Sequence, residues 1–554
     1  MTRNDAPALS KAKPRDGVNG LAVAAVCVAI ICALPMLAVL IAALSGGTET
    51  VQHLIDTVLG RYAATTLLLV VMVSIGTFAI GVGAAWLVTM TRFPGAKVLE
   101  IALVLPLAFP AYVLAYAYTH VLDHPGIVQS MLRDVTGWGP REYWFPEIRS
   151  LGGAAVMLIL VLYPYVYLLA RAAFLQQSGT TFLAARALGS SAWAAFFKVS
   201  LPLARPAIAG GVLLAVMETI ADFGTVAYFG VQTFATGIYT SWFSLFDRAG
   251  AAQLALCLLS FALLLAMLER LQRGRAKYHD PARRSQAMPP VQLKGWHALA
   301  ATVLCGVPVF FGALLPIVIL LAMGLGSEQD LLSPRYLGFI RNSVTLAGVA
   351  AILTVLAAIC VGFFQRSRPG RLASSAAYVS RLGYAVPGGV IAVGLLVPFA
   401  AFDNAFDAWM RSTFDISTGL LVTGSIWLLV TAYLVRFLAA ALGAYEGGQA
   451  MVHANMDAAA RSLGQTPMGT LRRVHLPILA PSLLTALLIV FVDVMKELPA
   501  TLIMRPFNYD TLAVQAYRLA SDERLDGAAV PSLVIVAMGL LPVILICRQV
   551  GRQK

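Results

Sequence analysis

The chain has 554 residues, of which 59% are hydrophobic and only 12% charged, with a mean hydropathy of +0.79. Soluble domains carry about 25% charged residues, so these proportions exclude a soluble globular protein and indicate many membrane spans. The net charge of +13 would suggest nucleic acid in a soluble chain; here it is read as membrane topology, and no nucleic-acid partner is expected.

In chain order, a polar tail (1–20) leads into an apolar run from Leu21 to about Leu44. A signal-peptide core is roughly 7–15 apolar residues, so this longer run is expected to be a retained first helix. Runs of spanning length follow at about 63–91, 98–121, 151–175, 207–229 and 251–269. A basic, proline-containing linker (271–295) separates them from runs at about 296–324, 342–365, 374–400, 418–445, 482–504 and 529–547, before a short tail (549–554). The expected fold class is an all-α polytopic membrane protein of about twelve transmembrane helices. They form two parallel six-helix repeats, 21–270 and 296–548, because an even number of spans gives both halves the same orientation. The six cysteines (Cys27, Cys32, Cys257, Cys305, Cys360, Cys547) all fall in apolar runs without metal spacing, and read as small hydrophobes.

Lys and Arg set the orientation. One side, holding the N-terminus and the linker, carries 26 of the 40; the opposite loops carry 11, and Arg381, Arg436 and Lys496 fall within helices. The basic side, with both termini, is expected to be cytoplasmic.

Two of its loops are copies. Ala184-Ala185-Arg186-Ala187-Leu188-Gly189 is followed after nine residues by Val199-Ser200-Leu201-Pro202, and 275 residues further on stand Ala459-Ala460-Arg461-Ser462-Leu463-Gly464 and Val474-His475-Leu476-Pro477. Each copy predicts a short helix, a glycine break, a second short helix and a proline stop. Such an elaborate connection predicts a docking surface.

These residues resemble the EAA loop of the membrane-spanning subunit of ATP-driven importers, whose pattern is E-A-A, three residues, G, nine residues, I-x-L-P. Leu183 and Ala458 stand where that family has glutamate, and Val199 and Val474 where it has isoleucine. The resemblance implies the type I ABC importer permease fold, with Ala184, Ala185, Arg186, Gly189, Leu201 and Pro202 coupling to one copy of a cytoplasmic ATPase. Ala459, Ala460, Arg461, Gly464, Leu476 and Pro477 would couple to a second. Since the family glutamate is missing, Asp457, Arg186 or Arg461 is expected to supply the polar contacts. His475 is expected at the loop surface. No G-x-x-x-x-G-K-[ST] segment occurs, so ATP-Mg belongs to the partner and this chain is expected to bind no cofactor.

Beyond each loop lie two acids four residues apart: Glu218 and Asp222, then Asp493 and Glu497 at the same 275-residue offset. Each pair lies within a predicted helix, and spacing of four puts its two acids on one face. From Ala207 to Asp222 the rise is roughly 22 Å, inside a hydrocarbon layer of about 30 Å. A carboxylate there must be paired or face water. The four are candidate residues of a cation path, arranged as an acidic ring. The alternative is packing within the bundle, with Lys496 or Arg505 pairing the second set. No residues are assigned as catalytic or as firm metal ligands.

Segments around the acids, Glu218-Thr219-Ile220-Ala221-Asp222-Phe223-Gly224 and Lys496-Glu497-Leu498-Pro499-Ala500-Thr501, extend the resemblance to the fused, two-half permease of bacterial ferric-iron importers. That implies a bacterial inner-membrane protein with two ATPase copies below and a periplasmic substrate-binding protein above. Thiamine, polyamine or phosphonate permeases of the same class are alternative readings. A proton-coupled secondary transporter is another, but it leaves the twin loops unexplained. A membrane-embedded enzyme would need a reactive cluster that the sequence lacks.

Overall fold

A computed structural model describes residues 17–140, 142–177, 179–273, 291–327, 329–330 and 332–552. Most of the linker lies outside these residues. Among those described, eleven helices are long and apolar enough to cross a membrane, or twelve when a pair bent by 93° counts as one span. Their side chains are apolar all round, so much hydrophobic surface is left exposed for lipid, as at Val23 and Ile41.

The 275-residue repeat is structural. The helix Gly60–Met90 packs against Leu151–Gln176, and Pro334–Ser367 packs against Ile426–Gln449 in the same way. Close approach depends on glycine. An added Cβ at Gly211 would stand 2.8 Å from the Val166 Cα, and one at Gly81 would stand 2.7 Å from the Val166 Cβ, so two helices close on one turn of a third.

The first helix of each half crosses to the other. Gly17–Ser45 lies along Arg371–Leu382 and Gly388–Phe414 of the second half, where Gly394 admits the Pro35 backbone. The corresponding helices Trp296–Val309 and Leu315–Leu325 pack on the first half, where Gly312 admits Pro106. The halves therefore embrace, and neither completes its core alone.

Four expected spans are broken. The run 98–121 becomes Ala96–Ala102 and Ala111–Leu122, joined through a 3₁₀ turn at Leu105–Ala108 and the bend at Pro110. The run 374–400 breaks likewise before Pro387. Both prolines sit at the N-cap of the following helix and lack the N–H that would continue the preceding one. The remaining two breaks lie at the intramembrane acids.

Candidate translocation path and docking loops

The twin loops are built alike. Helices Gly179–Ala187 and Ala454–Ser462 each end at a left-handed glycine, Gly189 with φ 89° and Gly464 with φ 76°. At each, the glycine N–H bonds to the arginine carbonyl (Arg186, Arg461) at 3.0 Å. The next N–H returns to the Ala185 or Ala460 carbonyl, at 3.1 and 3.0 Å. This double closure is the Schellman arrangement. Ser191 and Thr466 then cap the second short helix with side-chain oxygens, each 3.1 Å from an N–H. Leu188 is 88% exposed and Leu463 79%. Two large apolar side chains thus stand out of polar loops at equivalent positions, as a docking surface requires. Ala184, Ala459, Arg186 and Arg461 are also on the exposed side, whereas Ala460 is buried. Leu201-Pro202 and Leu476-Pro477 open the long helices that follow.

The loops are anchored differently. In the first half Trp86 packs on Phe174, Phe182 and Phe196, with ring centroids 5.7, 5.9 and 4.3 Å away. In the second half, polar groups do this work. His475 Nε2 lies 2.7 Å from Asp457 Oδ1, and Arg366 Nη2 lies 2.8 Å from Asp457 Oδ2. His475 is fully buried against Phe363, which corrects its expected surface position. Asp457 is likewise engaged within the chain rather than offered to a partner. Burial raises its carboxyl, but hydrogen bonds from His475 and Arg366 outweigh that and hold it below the ordinary carboxylate range. Stability from this depressed group is present above the ordinary aspartate pKa and is lost as pH falls through the lowered value. Asp457→Asn is expected to lower stability at neutral pH by about 1–3 kcal/mol, with the deficit shrinking on acidification. Thermal melts of the purified protein at two pH values check this.

Helix Leu201–Ala221 stops before Asp222, whose backbone is extended, and Gly224–Tyr228 begins two residues later. Asp222 therefore does not share a helical face with Glu218, contrary to the expectation from their spacing. Its carboxylate accepts from the Thr225 and Val226 N–H groups at 3.1 and 3.2 Å and from the Thr225 hydroxyl at 3.0 Å. Glu497 repeats the arrangement beyond Leu476–Met495. It accepts from the Ala500 and Thr501 N–H groups at 2.8 and 3.0 Å, and from the Thr501 hydroxyl, at the start of Pro499–Met504. Both acids cap the N-terminus of a half-helix inside the membrane, where unsatisfied N–H groups cost most.

Glu218 and Asp493 point elsewhere. With Asp222, Glu497, Arg436 and Lys496 they line a cavity of about 90 Å³ between the halves. Lys496 Nζ is 2.9 Å from Asp493, and Arg436 lies 3.2 Å from Glu497 and 3.8 Å from Glu218. The four acids are thus brought together, but Glu218, Asp493 and Glu497 are paired with cations rather than forming a bare ring. Among the described residues no three His, Cys, Asp or Glu side chains form a metal site. Arg436 belongs to this site although the sequence reading assigns it no role; a charge inside an apolar run is the signal that marks it. Arg505, the other cation considered for the second pair of acids, bonds to Asp510 instead.

Asp493 and Tyr165 also line a second cavity of about 720 Å³ that extends to the loop-bearing ends of the helices. There Arg171 pairs with Glu100, and Arg381 with Glu446. Phe223 and Pro499 also line the smaller cavity, where Phe223 stacks on Tyr239 at 3.6 Å and Tyr239 donates to the Pro499 carbonyl. Further out, Arg149 bridges Asp123 (2.9 Å) and Glu523 (2.7 Å), linking the halves. The two cavities share Leu107, Tyr165 and Asp493, and the larger one runs from the acids towards the twin loops.

Residues 77–278 match the family described as binding-protein-dependent transport system inner membrane component. A stretch of 211 residues is 30% identical to the molybdenum transport system permease protein ModB of Escherichia coli, covering 35% of this chain and 87% of that relative. The chain belongs to this permease family. Over 526 residues the permease is 25% identical to the Fe(3+)-transport system permease protein FbpB 2 of Haemophilus influenzae, covering 93% of this chain and 95% of the relative. It is 23% identical over 507 residues to the ferric transport system permease protein FbpB of Actinobacillus pleuropneumoniae, covering 86% and 69%. It is a multi-pass inner-membrane transport subunit.

Proposed function

We propose that this permease conducts ferric iron from a periplasmic binding protein into the cytoplasm. Alternating access would be driven by two copies of a separate ATPase, one on each of the twin loops. Similarity along 93% of the chain to an Fe(3+)-transport permease carries this reading. The four carboxylates that line the cavity between the halves support it, because hard ferric iron prefers oxygen ligands. The pairing of Glu218, Asp493 and Glu497 with Arg436 and Lys496 suits a conduit, since a bare ring of acids would hold the ion. ATP-Mg is assigned to the partner, and both termini to the cytoplasm with the basic loops. Exposed Leu188 and Leu463 provide one apolar contact per ATPase copy.

The test is reconstitution of the permease with its binding protein and ATPase in proteoliposomes. ATP-dependent accumulation of radioiron delivered on the binding protein is expected, and native mass measurement should give one permease chain to two ATPase chains. Accumulation of thiamine, a polyamine or a phosphonate in place of iron overturns the cargo. Two permease chains per complex overturn the stoichiometry.

A further inference from the structure

We propose that Arg436 is a resident counter-ion of the path, occupying the acids that a cationic cargo must take over, and so setting how strongly charged that cargo has to be. This rests on reading the acids as the cargo's path. Three observations carry it.

Arg436 is 9% exposed and reaches both halves at once, Glu497 of its own at 3.2 Å and Glu218 of the other at 3.8 Å. It lines the same cavity as all four acids. Space is reserved for it, since a Cβ at Gly388 would run into its guanidinium and into Glu497.

The repeat makes this more than general charge balancing. The residue equivalent to Arg436 in the first half is Val161, and that of Lys496 is Ala221. All four acids have partners in the repeat, whereas both cations come from the second half. A guanidinium has a fixed fork of donors and stays protonated, so it leaves the carboxylates only when another cation replaces it or the halves separate. A weakly charged ion competes poorly with a cation already in place, and a trivalent ion competes well.

Terbium(III), a hard trivalent ion, is a suitable probe that does not depend on the cargo's identity. Tyr112 and Tyr165 line the cavity and serve as antennae for its luminescence. The purified permease is titrated with Tb³⁺ as wild type, Arg436→Lys, Arg436→Gln, and Arg436→Gln combined with Glu218→Gln and Glu497→Gln. Arg436→Gln is expected to bind on the order of tenfold more tightly than wild type, Arg436→Lys to stay near wild type, and the triple variant to lose the gain. Arg436→Met, which keeps an unbranched stem, replaces Arg436→Gln if the latter does not fold.

Equal affinity in wild type and Arg436→Gln overturns the proposal, as does a gain that survives in the triple variant. If the Tb³⁺ pattern holds while proteoliposomes fail to accumulate iron, the ferric cargo falls and the role of Arg436 stands.

Discussion

Glu497→Ala is expected to destabilise this permease more than any other single change at the acids. The substitution strips the buried guanidinium of Arg436 of its nearer partner, leaving Glu218 at 3.8 Å. Breaking a buried pair from one side costs about 3–5 kcal/mol. The same substitution uncaps the half-helix at Pro499–Met504, about 1 kcal/mol more. Asp222→Ala removes the equivalent cap, and among the described residues Asp222 has no ion pair, so only about 1 kcal/mol is expected there. Thermal melts of the two purified variants give the comparison. Equal losses would mean that the Arg436 pairing adds nothing to stability.

Gly189→Asp and Gly464→Asp are expected to abolish uptake while leaving the protein folded. No atom lies within 4 Å of a Cβ added at either position, so space does not forbid the change. Aspartate also tolerates the left-handed backbone better than most side chains. What changes is the surface, where a carboxylate appears beside the exposed Leu188 or Leu463 and would have to be desolvated on docking. Gly→Ala at the same sites brings the left-handed backbone cost, about 1–2 kcal/mol, without the charge, and is expected to retain most uptake. The check is ATP-dependent uptake alongside membrane levels of each variant. Normal uptake by both aspartate variants removes the loops from any docking role.

The duplication is legible in the sequence because it is a matter of register, and the 275-residue offset needs no knowledge of packing. The left-handed glycines and Leu-Pro helix starts follow from residue type. Glu218 and Asp493 are recognisable as acids at membrane depth, but their cation partners depend on which helices meet across the halves. The breaks at Asp222 and Glu497 escape a reading by hydropathy because apolar residues continue through Phe223 and Leu498, and hydropathy is blind to a capping carboxylate. One signal is present: Pro499, a residue favoured in the first turn of a helix, follows Glu497 closely. His475 reads as superficial because its partners, Asp457 and Phe363, lie 18 and 112 residues away in sequence.

The uneven placement of Arg436 and Lys496 bears on ancestry. Two copies of the first half would bring together Glu218 and Asp222 twice, with valine and alanine where the cations now stand. Such a pore would repel its own walls. Two copies of the second half would match every acid with a base, leaving nothing to attract a cation. The fused chain has four carboxylates to two cations, an intermediate that neither symmetric dimer can reach. Fusion therefore does more than join two halves: it ensures that every molecule carries one of each, and with them a cavity lined by four acids and two bases.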